Sequence, residues 1–427
     1  MNKESIKYVM RQFVDRPLPV VFRRELDVPV DSGKVITLVG SRRTGKTFLM
    51  FQIMKDLFAS GIEKEQVVYL NFEDDRLYPV ESSDLDLILT AHSELFPEAS
   101  RKKRYLFFDE VQNICGWERY IRRINDTENV SVFLTGSSSS LLQKDMSTAM
   151  RGRSVTYEVY PLSFAEFLSF RKVEYVPYSR QSEATVIHAF HEYLDWGGFP
   201  EVVLAEDALR LKILQEYASI MFHRDLIERY SIRNERVMRL LFKFCAEHTG
   251  SLLSVNKLFN DFRSQGLKLG KATLYEYIDM LQDSFLVFSS TKYDPSARRE
   301  LQSPQKIHLI DSGIGKVFST SSEKNIGHRF ETLIYLHERR RRRDISYYRN
   351  GFELDMCWDG GSCFVNVAWD LSDDRTCERE VKAMSAGLSM WSDASACLVY
   401  GVGNAPEVPD GIQLYEGWRY LLGEYEN

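Results

Sequence analysis

Apolar residues near the start of the chain, Ile6, Val9, Met10, Phe13 and Val14, recur at helical spacing and predict an opening helix. The stretch from Arg16 to Pro19 breaks that pattern, and Asp31, Ser32 and Gly33 form a turn signal. Short apolar runs then alternate with helical stretches. Strands are expected at 34–39, 66–70, 105–108 and 130–134, with a helix at 46–59. This alternation predicts an α/β fold built on a parallel, doubly wound sheet. From about 162 to 235 the pattern turns helical, with Phe164, Phe167, Leu168, Ile213, Tyr217, Ile220 and Met221 at helical intervals, and reads as a lid with connecting helices. Residues 236–311 predict three helices (237–245, 254–262, 271–282) and then two strands (285–289, 306–310), the order of a winged helix. The remainder mixes a helix, several strands and a last amphipathic helix. The expected division is therefore 1–161, 162–235, 236–320 and 321–427.

The composition fits several globular domains. The 427 residues are 44% hydrophobic and 27% charged, with 26 Phe and 22 Tyr, so there is ample apolar surface to bury. A formal net charge of -6 argues against a chain that coats nucleic acid over its whole surface, although a local basic patch can still bind it. The six cysteines form no CxxC pair, which suits reduced thiols in a cytosolic protein better than a disulfide frame or a zinc site. No segment reaches the roughly 18 consecutive apolar residues of a membrane span. The first residues lack the apolar core of a secretory signal. A cytoplasmic protein with no membrane partner is the expectation.

Gly40, Ser41, Arg42, Arg43, Thr44, Gly45, Lys46 and Thr47, followed by Phe48, fall between a predicted strand and a predicted helix, the context a P-loop requires. The glycines let backbone N–H groups close round phosphates at a helix N-terminus; Lys46 reaches the β and γ phosphates of ATP, and Thr47 ligates Mg2+. Asp109 and Glu110 end an apolar strand, where functional residues lie in open α/β sheets. Asp109 is expected to hold Mg2+ through water, and Glu110 to orient or deprotonate the attacking water. After the next strand, Thr135 or Ser137 fits a sensor facing the γ-phosphate, unless Thr-Gly-Ser only makes the turn. In the segment Arg151-Gly-Arg153, Arg153 supplies either a cation to the transition state, in oligomers often to a neighbouring subunit's site, or a surface ion pair.

The segments GSRRTGKT, YLFFDEVQ, FLTGSSSSLL, RGR with YPLSFAEF, WGGFPEVV and HLIDSGI together resemble the prokaryotic AAA+ ATPases that carry an uncharacterised C-terminal domain, over nearly the whole chain. The resemblance implies a P-loop ATPase core, a winged helix and a domain similar to restriction endonucleases; a homo-oligomer is the expected assembly. It implies less about biology than about architecture. The segment Phe222-His-Arg-Asp225 matches an Asp-containing helix of that group; Arg224 and Asp225 either sense nucleotide across an interface or make an ordinary ion pair, and His223 reads as packed or exposed rather than catalytic.

If the winged helix binds double-stranded DNA, its third helix offers Lys271, Thr273 and Tyr275, while Glu276 and Asp279 would repel phosphates and leave packing against protein partners equally open. A nuclease-like constellation would comprise Glu331, Glu353 and Asp355 with the following strand 364–369. That strand has Asn366 and Ala368 where a working site needs a lysine, and Lys382 would have to reach across. The site therefore reads as degenerate. The five-residue run Arg339–Arg343 is either a phosphate track or a solvated helix cap. Three classes follow: an ATP-driven remodeller of DNA or a DNA–protein complex, a slow ATP switch controlling protein assembly, and an ATP-dependent nuclease.

Overall fold

A computed structural model describes residues 1–137, 150, 152–318, 325–342 and 344–424. Two compact units emerge, residues 1–160 with 283–285, and residues 161–282 with 286–427.

The first unit opens with α1 (Lys3–Asp15), capped where the Asn2 side chain accepts the Ser5 N–H at 2.8 Å, and burying Ile6, Val9 and Met10. Strands β1 (Val35–Val39), β2 (Val67–Asn71), β3 (Arg104–Asp109), β4 (Val130–Gly136) and β5 (Ser154–Glu158) form one wholly parallel sheet in the order β2-β3-β4-β1-β5. Helices α2 (Lys46–Ala59), α3 (Asp86–Leu95) and α4 (Trp117–Thr127) lie between strands in sequence. β1 and β3 are buried at every position, and the Phe107 and Phe133 rings stack at 4.5 Å in the core. Parallel register has a functional consequence: Asn71 lies opposite Asp109, Leu38 opposite Thr135 and Val39 opposite Gly136, so the strand ends come out at one edge of the sheet. The doubly wound sheet expected from the alternating pattern is present.

The second unit begins with helices α5 (Phe164–Arg171), α6 (Arg180–Trp196) and α7 (Asp207–Ile220), the last running into a π-helical stretch, Met221–Glu228. Next come α8 (Glu235–Glu247), β6 (Ser251–Leu253), α9 (Val255–Ser264), α10 (Lys271–Asp283), β7 (Val287–Lys292) and β8 (Gln305–Leu309). Strand β6, between the first and second of the three helices, has no counterpart in the sequence reading. Helices α11 (Ser312–Phe318) and α12 (Ile326–Arg339) lead to β9 (Ser346–Arg349), β10 (Glu353–Trp358), β11 (Cys363–Asp370), α13 (Asp374–Met390), β12 (Ser395–Val402) and β13 (Ile412–Glu416). All eight strands form one mixed sheet, β13-β12-β11-β10-β9-β7-β8-β6. The join is a parallel pairing of β7 with β9, Thr291 opposite Ser346, so strands from 236–320 and from 321–427 share one sheet.

Two of the segments that carry the family resemblance meet in a buried clasp. Asp311 accepts the N–H groups of Gly198 (2.7 Å) and Gly313 (2.8 Å). A Cβ on Gly197 would lie 1.9 Å from the Asp311 carboxylate, and Gly197 has φ +75, so a side chain is excluded there on both grounds. Burial, opposed by these N–H donors, pushes the Asp311 pKa up to about 7. Among the described residues no helix is long and apolar enough to cross a membrane.

Candidate nucleotide-binding site

The loop between β1 and α2 is shaped by its glycines. A Cβ on Gly40 would come within 2.2 Å of the Val159 carbonyl oxygen, so no other residue fits, and Gly45 adopts φ +95 as it opens α2. Lys46 is buried, and its ammonium donates to the carbonyls of Gly40 and Ser41, both at 2.9 Å, spanning the mouth of the loop. The Thr44 hydroxyl donates to the Ser41 carbonyl at 3.0 Å. Arg42 pairs with Glu73 at 3.0 Å, Arg43 holds φ +68, and Phe48 is half-exposed, 5.8 Å from Phe51. Behind the loop Arg24 is buried and donates to the carbonyls of Thr44 (2.8 Å) and Tyr160 (2.9 Å), tying the loop to the segment just after β5.

Asp109, 1% exposed at the end of β3, collects three hydroxyl donors. Thr47 donates to Oδ2 at 2.8 Å, Tyr69 to the same oxygen at 3.1 Å, and Thr135 to Oδ1. Burial raises the Asp109 pKa, and these hydroxyls counter it by stabilising the carboxylate. The Tyr69 hydroxyl is pushed well above the usual tyrosine range, first by burial and then by Asp109, so it serves as a donor. Glu110 has φ +54, a left-handed conformation that costs a non-glycine residue about 1–3 kcal/mol and is characteristic of functional positions. Its N–H donates to the Thr135 hydroxyl at 2.8 Å, and its carboxylate accepts from the Gln112 amide at 2.5 Å. Thr135 thus touches both acidic residues, while Ser137 is buried beyond it. Arg153 pairs with Asp126 at 2.8 Å; Arg151 lies outside the described residues.

These residues fit a magnesium nucleotide. The glycine cradle leaves backbone N–H groups at the start of a 14-residue helix, the Lys46 ammonium sits at the mouth, and the Thr47 hydroxyl and Asp109 carboxylate lie side by side, hydrogen-bonded at 2.8 Å. Tyr69, Gln112 and Arg24 were absent from the sequence reading. Tyr69 stands in an apolar strand and reaches Asp109 only because β2 and β3 pair in that register; Gln112, two residues beyond Glu110, was the one within reach of local reasoning.

In the second unit Glu331 and Asp355 do come together, around a lysine that comes neither from strand 364–369 nor from position 382. Lys306 of β8, 3% exposed, places its ammonium 2.7 Å from Glu331, 2.9 Å from Asp355 and 3.7 Å from Glu353. Burial disfavours the charged lysine, yet Asp355 and Glu331 outweigh it and hold the Lys306 pKa above its ordinary value. Burial pushes Glu331 up to about 8 in spite of Lys306. Asn366 is buried, accepting the Asp355 N–H at 3.2 Å and donating to Glu380 at 2.7 Å, while Lys382 is exposed. The arginine run is largely built into the unit. Arg340 donates to the carbonyls of Pro161 and Leu162, Arg342 pairs with Glu338 and stacks over Trp358 at 4.1 Å, and Arg339 lies over Phe288; Arg343 is outside the described residues. On α10 Lys271, Tyr275, Glu276 and Asp279 are exposed and Thr273 is half-buried. In the π-helical stretch His223 and Arg224 are exposed and Asp225 is buried against Arg229 at 3.2 Å.

A parallel sheet with this loop, a strand-end Asp-Glu pair and a hydroxyl after the next strand defines a P-loop ATPase of AAA type. Residues 32–168 match an AAA domain, and residues 187–324 match a domain of unknown function, DUF8612. An uncharacterised protein of Methanocaldococcus jannaschii is 32% identical over 371 residues, covering 85% of this chain and 80% of that one. One from Haemophilus influenzae is 28% identical over 327 residues, 76% of this chain and 77% of its own. A Walker-type ATPase of Pyrococcus abyssi superposes with TM-score 0.46 at 14% identity, covering 71% of this chain and 99% of that one. The chain belongs to the family of prokaryotic AAA-type ATPases in which the AAA domain is joined to a separate C-terminal domain of unknown function.

Proposed function

We propose that the protein hydrolyses ATP in a Mg2+-dependent reaction at the Gly40–Thr47 loop, and that as a cytoplasmic homo-oligomer it couples turnover to remodelling of DNA or a DNA–protein complex. The observation that carries hydrolysis, rather than binding alone, is the Asp109–Glu110–Thr135 arrangement. One hydroxyl engages Asp109 and also fixes the Glu110 main chain, so the two carboxylates are set in relation to each other and to Thr47.

Bound Mg-ATP supplies the electrophilic γ-phosphoryl group and the charge that polarises it. The chain supplies the rest. Loop N–H groups and Lys46, whose ammonium lies on the Gly40 and Ser41 carbonyls, neutralise phosphate charge. Thr47 and Asp109 would hold the cation, Thr47 through its oxygen and Asp109 through water. Glu110 takes the proton of the attacking water, and Thr135 holds Glu110's backbone in place. Arg153 is assigned to a neighbouring subunit's transition state, on leaving Asp126.

We assign residues 1–161 to the ATPase core, 162–235 to the lid, 236–320 to a winged helix that meets double-stranded DNA through Lys271 and Thr273, and 321–427 to a degenerate nuclease-like domain. Salt-sensitive stimulation of steady-state ATP hydrolysis by double-stranded DNA is the expected result. A rate indifferent to DNA at low and raised salt would contradict it.

A second reading, a slow switch that controls assembly with protein partners, is supported by the Gln112 amide, which donates to the Glu110 carboxylate and would have to leave it for that carboxylate to act on water. The nuclease reading rests on Glu331 and Asp355, beside which Lys306 supplies the lysine that strand 364–369 lacks; metal-dependent cleavage abolished by Asp355→Ala would support it.

A further inference from the structure

We propose that Tyr69 is a positioning residue of the nucleotide site, whose hydroxyl fixes which oxygen of Asp109 is left to face the cation and so sets the affinity for Mg2+. The inference rests on the reading that Gly40–Thr47 and Asp109 bind a magnesium nucleotide.

β2 is apolar around this position, with Val67, Val68 and Leu70 buried in the sheet, and a phenylalanine would pack at 69 as well as a tyrosine. The hydroxyl therefore needs its own explanation. Tyr69 pairs with Phe107, and Asn71 pairs with Asp109. Side chains alternate faces along a strand, so Tyr69 shares a face with Asp109 and lies one position pair behind it. The length of the phenol spans that offset, and the hydroxyl donates to Asp109 Oδ2 at 3.1 Å. The ring has little freedom to do otherwise. Phe13 of α1 packs against it at 5.6 Å and Phe51 of α2 at 5.2 Å, from two different helices.

A count of acceptor sites gives the consequence. An ionised carboxylate offers about four lone-pair sites, two on each oxygen. Thr47 and Tyr69 take both on Oδ2, and Thr135 takes one on Oδ1. The remaining site is on Oδ1, so that is the site that would accept from a water on a bound cation. Thr47 can keep donating its hydrogen to Oδ2 while its oxygen faces the ion. Without the Tyr69 hydroxyl, a second site opens on Oδ2, the carboxylate is held by Thr47 and Thr135 alone, and the acceptor site on Oδ1 is less fixed.

The test is Mn2+ binding in the presence of saturating ADP, followed by electron paramagnetic resonance, for the wild type, Tyr69→Phe and Tyr69→Leu. Binding of a fluorescent ADP analogue in EDTA serves as the metal-free control. Tyr69→Phe keeps the ring and loses only the hydroxyl. Its Mn2+ affinity is expected to fall about ten-fold, the scale of one hydrogen bond to a charged group, with metal-free nucleotide binding unchanged. Wild-type Mn2+ affinity in Tyr69→Phe, or a loss seen only in Tyr69→Leu, would assign the residue to packing and overturn the proposal. Failure of the wild type itself to bind Mn2+ with ADP would instead remove the nucleotide-site reading, and the Tyr69 role with it.

Discussion

Replacing Lys306 by methionine keeps the length of the side chain and most of its volume, and deletes a charge that is 3% exposed. The effect is therefore electrostatic. Removing one partner of a buried ion pair costs about 3–5 kcal/mol, because the remaining partner stays desolvated without its counter-charge. Two carboxylates lie within 3 Å of the ammonium, but they do not share the loss equally. Burial holds Glu331 up at about 8, toward its neutral form, so Asp355 is the group left more unbalanced. Lys306 has its folded pKa raised above the ordinary lysine value, so its contribution is complete at neutral pH and is lost only under strongly alkaline conditions. A difference between the wild type and the variant in pH dependence between 6 and 9 then belongs to Glu331. Its folded pKa is raised, so stability falls as pH rises toward 8, and more steeply in the variant, where the lysine no longer opposes the shift. We expect Lys306→Met to lower unfolding free energy by about 3 kcal/mol at neutral pH and by more at pH 9. Asp355→Asn should destabilise the wild type but be neutral or stabilising in Lys306→Met, a coupling of about 2 kcal/mol. Urea unfolding of the four proteins, followed by tryptophan fluorescence, measures this. A loss below about 1 kcal/mol, the scale of an exposed pair, or an equal effect of Asp355→Asn in both backgrounds, would refute the argument.

Asp311→Asn addresses the clasp: with a folded pKa of about 7 against an ordinary 3.8, Asp311 makes stability fall as pH rises between those values and level off above, by about 4 kcal/mol at most. The asparagine variant should show a flatter dependence of the urea midpoint between pH 5 and 7.5, and an unaltered slope would show that Asp311 does not titrate there. Gln112→Ala frees the Glu110 carboxylate and is expected to raise basal phosphate release a few-fold, about 1 kcal/mol of barrier, whereas slower release would make Gln112 part of the catalytic arrangement. Arg24→Ala leaves the Thr44 and Tyr160 carbonyls without a buried donor and should weaken binding of a fluorescent ATP analogue by about ten-fold, checked by titration well below the melting temperature.

What was legible in the sequence divides along local and non-local lines. The loop from Gly40 to Thr47 announces itself because its glycines meet a local demand for positive φ and close approach, and the strand ending at Asp109 is an apolar run followed by two acids. Helix α2, read as 46–59, has those ends because Gly45 opens it and nothing inside breaks it. Side chains that reach the site from another strand were not legible. Tyr69 looks like one more aromatic residue in a buried strand until the register with β3 is known. Lys306 is the sharper case: a cation was sought along the chain from Asp355, on strand 364–369 or at Lys382, but it arrives from β8, in a segment assigned to another domain. Periodicity tells which face of a strand is apolar and not which strands are neighbours. For the same reason the shared eight-stranded sheet was not foreseen. The arginine run shows the limit of composition, since Arg339, Arg340 and Arg342 pack on Phe288, the carbonyls of Pro161 and Leu162, and Trp358.

The most direct test of the central claim is phosphate release from ATP by the wild type and by Glu110→Gln, with binding of a fluorescent ATP analogue measured on the same samples and Lys46→Ala as the non-binding reference. The account predicts turnover in the wild type, and in Glu110→Gln retained nucleotide binding with release reduced by about 100-fold or more. Undiminished release in Glu110→Gln would contradict the assignment of Glu110, and with it the proposed route of hydrolysis.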